Sequence, residues 1–299
     1  MRRLALSLAA CCVSLAAAAQ EPPARPPITG IARVRLWSTD LHKSREFYHR
    51  VLGLGPGTGG CVSLTRPCFS VNDHQQIELL QVTAGDPANF VAEVAFATPD
   101  VAQMQRYLTA HSITTTAIEK DADGVQHFAL SDPEGNHIAF VQLPAAHFFT
   151  PTESQVSTRL IHAGFIVRDR AAEDHFYRDL LGFRLYWHGG FKDSDTDWWE
   201  IQVPEGTDWI EYMLNISEYA KHDERGIQNH FSLAVEKIRT GEARLRANGL
   251  TSQDHPEIGR DGKWSYDIYD PDGTRVEFME YRPAQTPCCN PYTGPQPKP

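Results

Sequence analysis

Short apolar segments, separated by turn residues, recur along most of the chain. Residues 28–37 are apolar and β-branched and predict a strand. Residues 41–52 have apolar positions at helical spacing, with Asp40 placed to cap the helix and Gly53 placed to end it. Three more strands are predicted after this helix: 61–64, 68–71 and 76–82. Together these elements predict a βαβββ module.

The same pattern returns in the second half of the chain. The repeated anchors are a Phe-Tyr pair followed by Leu-Gly, at 47–53 and 176–182, and an Asp-Pro-x-Gly turn, at 132–135 and 270–273. Each half also divides again, because an apolar strand followed by an acidic residue and a helical segment recurs at 33–40, 91–100, 160–169 and 228–236. Such internal repeats predict a repeated architecture, here four modules in two domains.

The repeats set the domain boundaries. The segment between the two halves is polar and has no period, and the C-terminal segment is rich in proline and is expected to be a disordered tail. The predicted divisions are a signal peptide at 1–19, a Pro-rich linker at 20–27, the N-terminal domain at 28–143, a linker at 144–158, the C-terminal domain at 159–282 and the tail at 283–299.

The second half carries candidate metal ligands at matching points of the repeat. They are two imidazoles and two carboxylates: His162, Glu211, His230 and Glu277. The equivalent positions of the first half are Arg33, Glu78, Glu93 and Ala139. Arginine is permanently cationic and alanine has no donor atom, so the first half cannot hold the same ion. The sequence therefore predicts one divalent metal ion (Zn, Ni, Fe or Mn) in the C-terminal domain, since nitrogen and oxygen donors suit these metals.

Plainer interpretations exist for each of these residues. A single histidine within a sheet is usually satisfied by hydrogen bonds, and a single glutamate is usually solvated. Four residues able to bind a metal, all at repeat-equivalent positions, favour the metal instead. In the first half, Glu78 and Glu93 could form a weak second site, but the favoured interpretation is that Arg33 pairs with one or both and replaces the charge of the metal.

Other candidates are weaker, because packing or surface exposure explains each of them as well. The aromatic pairs at 187–188 and 198–199 could line a substrate pocket or pack in the core. Three residues near strand ends could serve as acids or bases: His222, His255 and Tyr266. The loop at 260–263 could cover the site or simply turn the chain.

Several of these segments together resemble the vicinal oxygen chelate superfamily, which includes glyoxalase I, extradiol dioxygenases and bleomycin-binding proteins. The segments are 161–165 followed by Asp169, 176–182, 209–212, 229–231 and 270–277, and the resemblance covers residues 28–282. It implies an α+β fold of two tandem domains, each a pair of βαβββ modules whose curved, partly open mixed sheet surrounds a central cavity with a metal. It also implies a small-molecule substrate with vicinal oxygens.

Two reactions and one binding role fit this resemblance. With four protein ligands, Glu211 or Glu277 can act as a base in a glyoxalase-like lyase or isomerase, which is the leading hypothesis. With His162, His230 and Glu277 alone, a facial triad would suit an extradiol dioxygenase, although this chain has Asp267 where the dioxygenase fingerprint has tyrosine. The third hypothesis is a protein that binds a small molecule without turnover.

The N-terminus predicts export. Arg2 and Arg3 precede an apolar run at 4–15 and alanines at 16–19, which is the secretory pattern and is too short for a membrane span. A lipoprotein anchored at Cys11 is the alternative. The formal charge of −10 disfavours nucleic acid as a partner. Four cysteines follow the cleavage region, and Cys61 and Cys68 flank a short loop across which they could pair.

Overall fold

The computed structural model describes residues 23–57, 62–63, 66–85, 87, 89–121, 124–143 and 149–299. The elements of the first domain are β1 (Gly30–Ser38), α1 (Leu41–Glu46) continued by a π-helix (Phe47–Val51), β2 (Gly55–Pro56), β3 (Val62–Ser63), β4 (Arg66–Ser70), β5 (Gln76–Gln81), β6 (Val91–Ala97), α2 (Val101–Ala110), β7 (Glu119–Lys120), β8 (Gln126–Ser131) and β9 (His137–Gln142).

The second domain repeats this order with one additional helix and one strand fewer. Its elements are β10 (Leu160–Ile166), α3 (Arg170–Glu173) continued by a π-helix (Asp174–Leu180), β11 (Arg184–Gly189), β12 (Trp198–Gln202), β13 (Trp209–Met213), α4 (His222–Gln228), β14 (His230–Val235), α5 (Ile238–Ala247), β15 (Glu257–Ile258), β16 (Trp264–Tyr269) and β17 (Arg275–Glu280). The sequence pattern did not predict α4 or β11.

Each domain forms one curved mixed sheet made of two modules. The strand orders are β2-β4-β5-β1-β6-β9-β8-β7, with β3 paired to β4, and β11-β12-β13-β10-β14-β17-β16-β15. In each sheet the first strands of the two modules pair antiparallel at the centre, and each also pairs parallel with the last strand of its own module. This topology confirms the α+β class and the tandem domains of paired βαβββ modules.

One large hydrophobic core joins the two domains. It contains the apolar residues on one face of both sheets together with the helices that cover them. Two tyrosines of the repeated Phe-Tyr pairs cross the interface reciprocally: Tyr48 donates a hydrogen bond to Asp270 at 2.9 Å, and Tyr177 donates to Asp132 at 3.1 Å. Each acceptor opens the Asp-Pro-x-Gly turn of the opposite domain, so the same repeat residues hold the domains together in both directions.

The C-terminal tail is packed against the second domain, which corrects the prediction that it is disordered. Its backbone N–H groups at Ala284 and Cys288 donate to the carbonyls of Gly262 and Arg260, and the N–H of Thr293 donates to the carbonyl of Tyr186. The tail also contains a disulfide between adjacent cysteines, Cys288 and Cys289. Main-chain bonds of this kind need no apolar periodicity, so the sequence pattern did not reveal them.

Some predictions fall on parts of the chain outside the described residues. These are the signal peptide at 1–19 with Cys11, the residue Cys61 and its possible pairing, and the beginning of the linker at 144–158. The remainder of that linker is held in place, since the Gln155 amide donates to the carbonyls of Val71 and Ser157. Among the described residues, no helix is long and apolar enough to cross a membrane.

Candidate metal centre

Four strands of the second sheet bring the predicted ligands together. His162 lies on β10, Glu211 on β13, His230 on β14 and Glu277 on β17. Register places Glu211 and His230 on either side of Gly164, which is two residues beyond His162 on the central strand β10. Residues two apart on a strand share a face, so the three neighbouring strands deliver their side chains to one side of the sheet.

The donor atoms of His162, Glu211 and His230 all lie within 4.8 Å of one another, close enough to share one ion, and Glu277 lies beside the two histidines. The Nε2 atoms of His162 and His230 are 3.0 Å apart. Glu211 Oε2 lies 3.0 Å from Nε2 of His230, and Glu277 Oε2 lies 3.1 Å from Nε2 of His162. The other two His–Glu separations are 3.8 and 4.0 Å. Ligands about 2.1 Å from one metal and at right angles would be about 3 Å apart, which fits the three shorter distances.

The protonation of the two histidines also suits metal binding. Both rings are buried, and burial lowers the pKa of His162 to about 4 and the pKa of His230 well below its ordinary value. His230 Nδ1 lies 3.0 Å from the carbonyl of Gln228, which fixes the proton on Nδ1 and leaves a lone pair on Nε2. Nε2 of His162 lies 3.0 Å from this lone pair, so a cation at this place could be bound by both Nε2 atoms. The residues present therefore fit a divalent metal.

Glu277 is buried beside a cationic neighbour. Burial raises the pKa of its carboxyl group, and the charge of Arg275 acts in the opposite direction. Arg275 also contacts Asp267 at 3.4 Å, on the strand that pairs with β17, and Asp267 lies directly opposite Glu277 in the register. The position that carries a tyrosine in the dioxygenase fingerprint is thus occupied by an acidic residue paired with arginine.

The first domain holds an ion-pair cluster at the equivalent place, as the sequence predicted. Arg33 donates to Glu93 at 2.8 Å and to Glu78 at 3.4 Å. Arg35, which the sequence analysis did not identify, donates to Glu78 at 2.7 Å and to Glu93 at 3.1 Å. All four side chains are at least 87% buried, so two arginines neutralise two carboxylates where the second domain has the candidate metal ligands.

Two important residues of the centre carry no sequence signal of their own. Gly164 is the counterpart of Arg35, because each lies opposite the equivalent ligand position on the central pair of strands. Lys263 is fully buried, and it belongs to the loop that was predicted either to cover the site or to form a turn of the chain. A single glycine or a single lysine belongs to no periodic pattern of the sequence. The importance of the glycine becomes visible only when the strand registers of the two sheets are compared.

The weaker candidates lie in several different places. His188 stacks on Trp199 with ring centroids 4.6 Å apart. His222 begins α4 and lies near the carbonyl of Asp272 at the domain interface. His255 contacts Glu242, and Arg246 lies within 3.4 Å of both His255 and the Tyr266 hydroxyl. None of these contacts involves the four predicted ligands.

Two segments of the chain, residues 30–140 and 159–278, match the sequence model of the Glyoxalase/Bleomycin resistance protein/Dioxygenase superfamily. Among solved structures, the chain is similar to homoprotocatechuate 2,3-dioxygenase from Brevibacterium fuscum in an anaerobic complex with 3,4-dihydroxyphenylacetate. The two are 20% identical with a TM-score of 0.66, over 92% of this chain and 85% of that chain.

Homoprotocatechuate 2,3-dioxygenase from Arthrobacter globiformis is similar to the same degree. It is 21% identical with a TM-score of 0.65, over 87% of this chain and 82% of that chain. At these identities the likeness shows the fold. No curated protein matches the sequence at a significant level.

Proposed function

Because the chain belongs to the Glyoxalase/Bleomycin resistance protein/Dioxygenase superfamily, we propose that it is a metal-dependent lyase or isomerase of glyoxalase-like type. Its second domain binds one divalent ion, and its substrate is a small molecule with two neighbouring oxygens. The observation that carries the proposal is the position of Glu211, whose Oε2 lies 3.0 Å from Nε2 of His230. Glu211 joins the two histidines in one compact group, and Glu277, whose Oε2 lies 3.1 Å from Nε2 of His162, would be a fourth donor beyond the two histidines and one carboxylate of a facial triad.

The residues divide the chemistry between them. A bound divalent ion polarises neighbouring substrate oxygens and stabilises negative charge on them. His162 and His230 hold the ion as neutral imidazoles, because burial keeps them unprotonated. Glu277, whose Oε2 lies 3.1 Å from Nε2 of His162, serves as a ligand. Glu211 takes the proton from the carbon next to the substrate carbonyl.

An extradiol dioxygenase is the second candidate. It is supported by the tandem architecture shared with homoprotocatechuate 2,3-dioxygenase, whose complex holds 3,4-dihydroxyphenylacetate. In this function His162, His230 and Glu277 are the iron ligands, and Glu211 lies outside the set. Asp267 weakens this candidate, because a carboxylate paired with Arg275 replaces the tyrosine of the dioxygenase fingerprint.

The variant Glu211→Gln separates the two functions. Glutamine keeps the shape and one oxygen donor but cannot accept the proton, so proton exchange should fall by about 100-fold or more. Exchange into α-hydroxycarbonyl compounds is measured by NMR in D₂O with the metal-loaded protein. Oxygen uptake with 3,4-dihydroxyphenylacetate is measured on the same samples, and Glu236→Gln, an exposed carboxylate at the end of β14, is the control.

The outcomes are distinct. If the parent exchanges protons and Glu211→Gln does not, the lyase or isomerase function is supported. If the parent consumes O₂ with the catechol and Glu211→Gln does so equally well, the dioxygenase replaces it. A parent that retains a small ligand tightly and turns over neither probe would be a binding protein.

A further inference from the structure

The C-terminal tail joins the two edges of the second sheet. Its edge strands are β11 and β15, and the turn after β15 comes close to β11, because Nε of Arg260 donates to the carbonyl of the residue that follows β11 at 3.1 Å. The tail crosses at this place. The N–H of Cys288 donates to the carbonyl of Arg260 at 2.8 Å, and the N–H of Thr293 donates to the carbonyl of Tyr186 at 2.9 Å. Residues 284–296, called the strap below, therefore connect the two edges of the curved sheet.

The strap covers a buried amine. Lys263 is fully buried, and its Nζ atom lies 4.5, 4.7 and 5.1 Å from the ring centroids of Trp209, Tyr292 and Tyr186. Aromatic faces at these distances stabilise an ammonium group. Tyr292 belongs to the strap, and its hydroxyl donates to Asp261 at 2.8 Å. One wall of the aromatic cage is thus held in place by the strap, and movement of the strap would expose the amine to solvent.

The cage adjoins the candidate metal centre. Trp209 is fully buried and contacts Lys263 on one side and a candidate ligand on the other, since its ring centroid lies 4.8 Å from that of His162. Trp209 and His162 also lie opposite each other on β13 and β10. A strap that lifts away would therefore bring solvent to the residue that packs on a candidate ligand.

A strained turn lies where the strap crosses between the two edges. Cys288 and Cys289 form a disulfide, and Cys289 has a φ of 67°, which is unfavourable for a residue with a Cβ atom. The N–H of Asn290 donates to the carbonyl of Cys288 at 2.6 Å, so three residues form a γ-turn of the rare, strained kind. The disulfide joins neighbours in the sequence, so it acts on the conformation of the strap and does not tie the strap to a distant segment.

This turn sits directly on the edge strand β11. The side-chain amide of Asn290 donates to the carbonyl of His188 at 3.2 Å, and a Cβ atom on Gly189 would lie 3.3 Å from Sγ of Cys289. Tyr292 enters the cage only two residues after Asn290, so the turn determines where it enters. Both cysteines are partly exposed, so a small thiol reagent can reach the disulfide.

We propose that the adjacent cysteines are a redox site, at which a dithiol reductant loosens the strap over Lys263. In this step the S–S bond between Cys288 and Cys289 breaks, each protein sulfur becomes a thiol, and the two thiols of the reductant give up two electrons and two protons to form a disulfide. In the oxidised protein the small ring keeps the turn formed even when the strap is undocked, so docking orders little further.

In the reduced protein Cys289 is free to take a negative φ when the strap is undocked. Docking must then restore the strained turn, which shifts the equilibrium towards the undocked strap by about tenfold. This inference does not rest on the proposed metal centre, and its test needs neither bound metal nor enzyme activity.

The test measures how fast an acylating reagent, N-hydroxysulfosuccinimidyl acetate, modifies Lys263, followed by mass spectrometry of the digested protein. The parent treated with dithiothreitol should be modified at Lys263 about tenfold faster than the oxidised parent, because the rate follows the population of the open strap. Lys237, an exposed lysine before α5, should be modified at the same rate in both samples.

Two variants test the role of the turn. Cys288→Ser/Cys289→Ser should be modified at the faster rate with or without dithiothreitol, which also controls for reduction elsewhere in the chain. Cys288→Ser/Cys289→Gly should be modified more slowly than the double-serine variant, because glycine adopts a positive φ without a steric cost.

The outcomes are decisive in each case. Equal modification of Lys263 in the oxidised and reduced parent overturns the inference, and so does a thiol titration that finds both cysteines free in the oxidised protein. A double-serine variant that responds to dithiothreitol as the parent does would place the effect at another disulfide. Equal rates in the two variants would overturn the role of the turn. Should the variants fail to fold, the comparison of oxidised and reduced parent decides alone.

Discussion

Gly164 leaves room for His230 that no other residue could leave. A Cβ atom on Gly164 would lie 2.1 Å from Cε1 of His230 and 2.6 Å from its Nδ1. The two residues face each other across the antiparallel strands at the centre of the second sheet. In the first domain the same position is Arg35, opposite Glu93. The glycine thus permits the ligand geometry in the second domain, and an arginine occupies the same position in the first domain.

Gly164→Ala should displace the His230 ring and lower metal affinity by at least about tenfold, because a ligand moved out of position loses much of its bond. The affinity is measured by Co²⁺ titration. Gly241→Ala in α5 is the control, since its Cβ would meet Val235 at an ordinary 3.4 Å. The control should keep its affinity and gain about 1 kcal/mol of stability. Parent-like binding by Gly164→Ala would contradict the account.

The ion-pair cluster of the first domain predicts a large loss of stability on Arg33→Met. Removing one arginine leaves the buried carboxylate charges without one of the cations that neutralise them, and breaking a buried pair costs about 3 kcal/mol. Urea unfolding measures the loss. Arg50→Met removes an exposed pair with Glu46 and should change stability by about 0.5 kcal/mol or less. Equal effects of the two substitutions would show that the buried cluster does not stabilise the domain.

A buried carboxyl group at the domain interface predicts a pH effect. Burial, with the nearby charge of Asp132 as the next cause, raises the pKa of Glu173 to about 9. One oxygen of Glu173 accepts from the backbone of Glu134, and the other has no partner among the described residues. A raised pKa in the folded state gives stability that is complete below the unfolded pKa near 4.5 and is lost as pH rises towards 9.

Glu173→Gln should remove this dependence, because glutamine is neutral at every pH. Thermal melts of the variant and the parent should lie closest at pH 5 and diverge towards pH 8, where the variant should be more stable, by about 1.4 kcal/mol for each pH unit. The exposed Glu236→Gln serves as the control. A variant less stable than the parent at pH 8 would show that Glu173 is ionised and stabilising in the folded protein.

The N-terminal pattern remains a prediction of export. Residues 1–19 combine two arginines, an apolar run and a small-residue region, so the mature chain should begin near Gln20. N-terminal sequencing of the protein expressed in a bacterial host would show this. A chain that begins at a lipid-modified Cys11 would support the lipoprotein alternative, and an intact Met1 would refute export.

The repeat explains why so much of the site was predictable. His162, His230 and their two carboxylates occupy matching points of two modules, so comparison within the chain identified them, and Arg33 marked the other domain as degenerate. The sequence analysis did not identify Gly164 or Lys263 as residues of the site, since their roles depend on which residues lie next to them in the folded protein. The tail was missed because main-chain hydrogen bonds and Tyr292 hold it, and neither produces a hydrophobic period.

Metal content tests the central claim most directly. Inductively coupled plasma mass spectrometry on the purified protein should find about one divalent ion per chain, the number expected for one complete ligand set. His162→Ala and His230→Ala should each abolish it, whereas Arg33→Ala, at the equivalent position of the first domain, should keep it in folded protein. Full occupancy in a variant that lacks both histidines would contradict the assignment of the metal to the second domain.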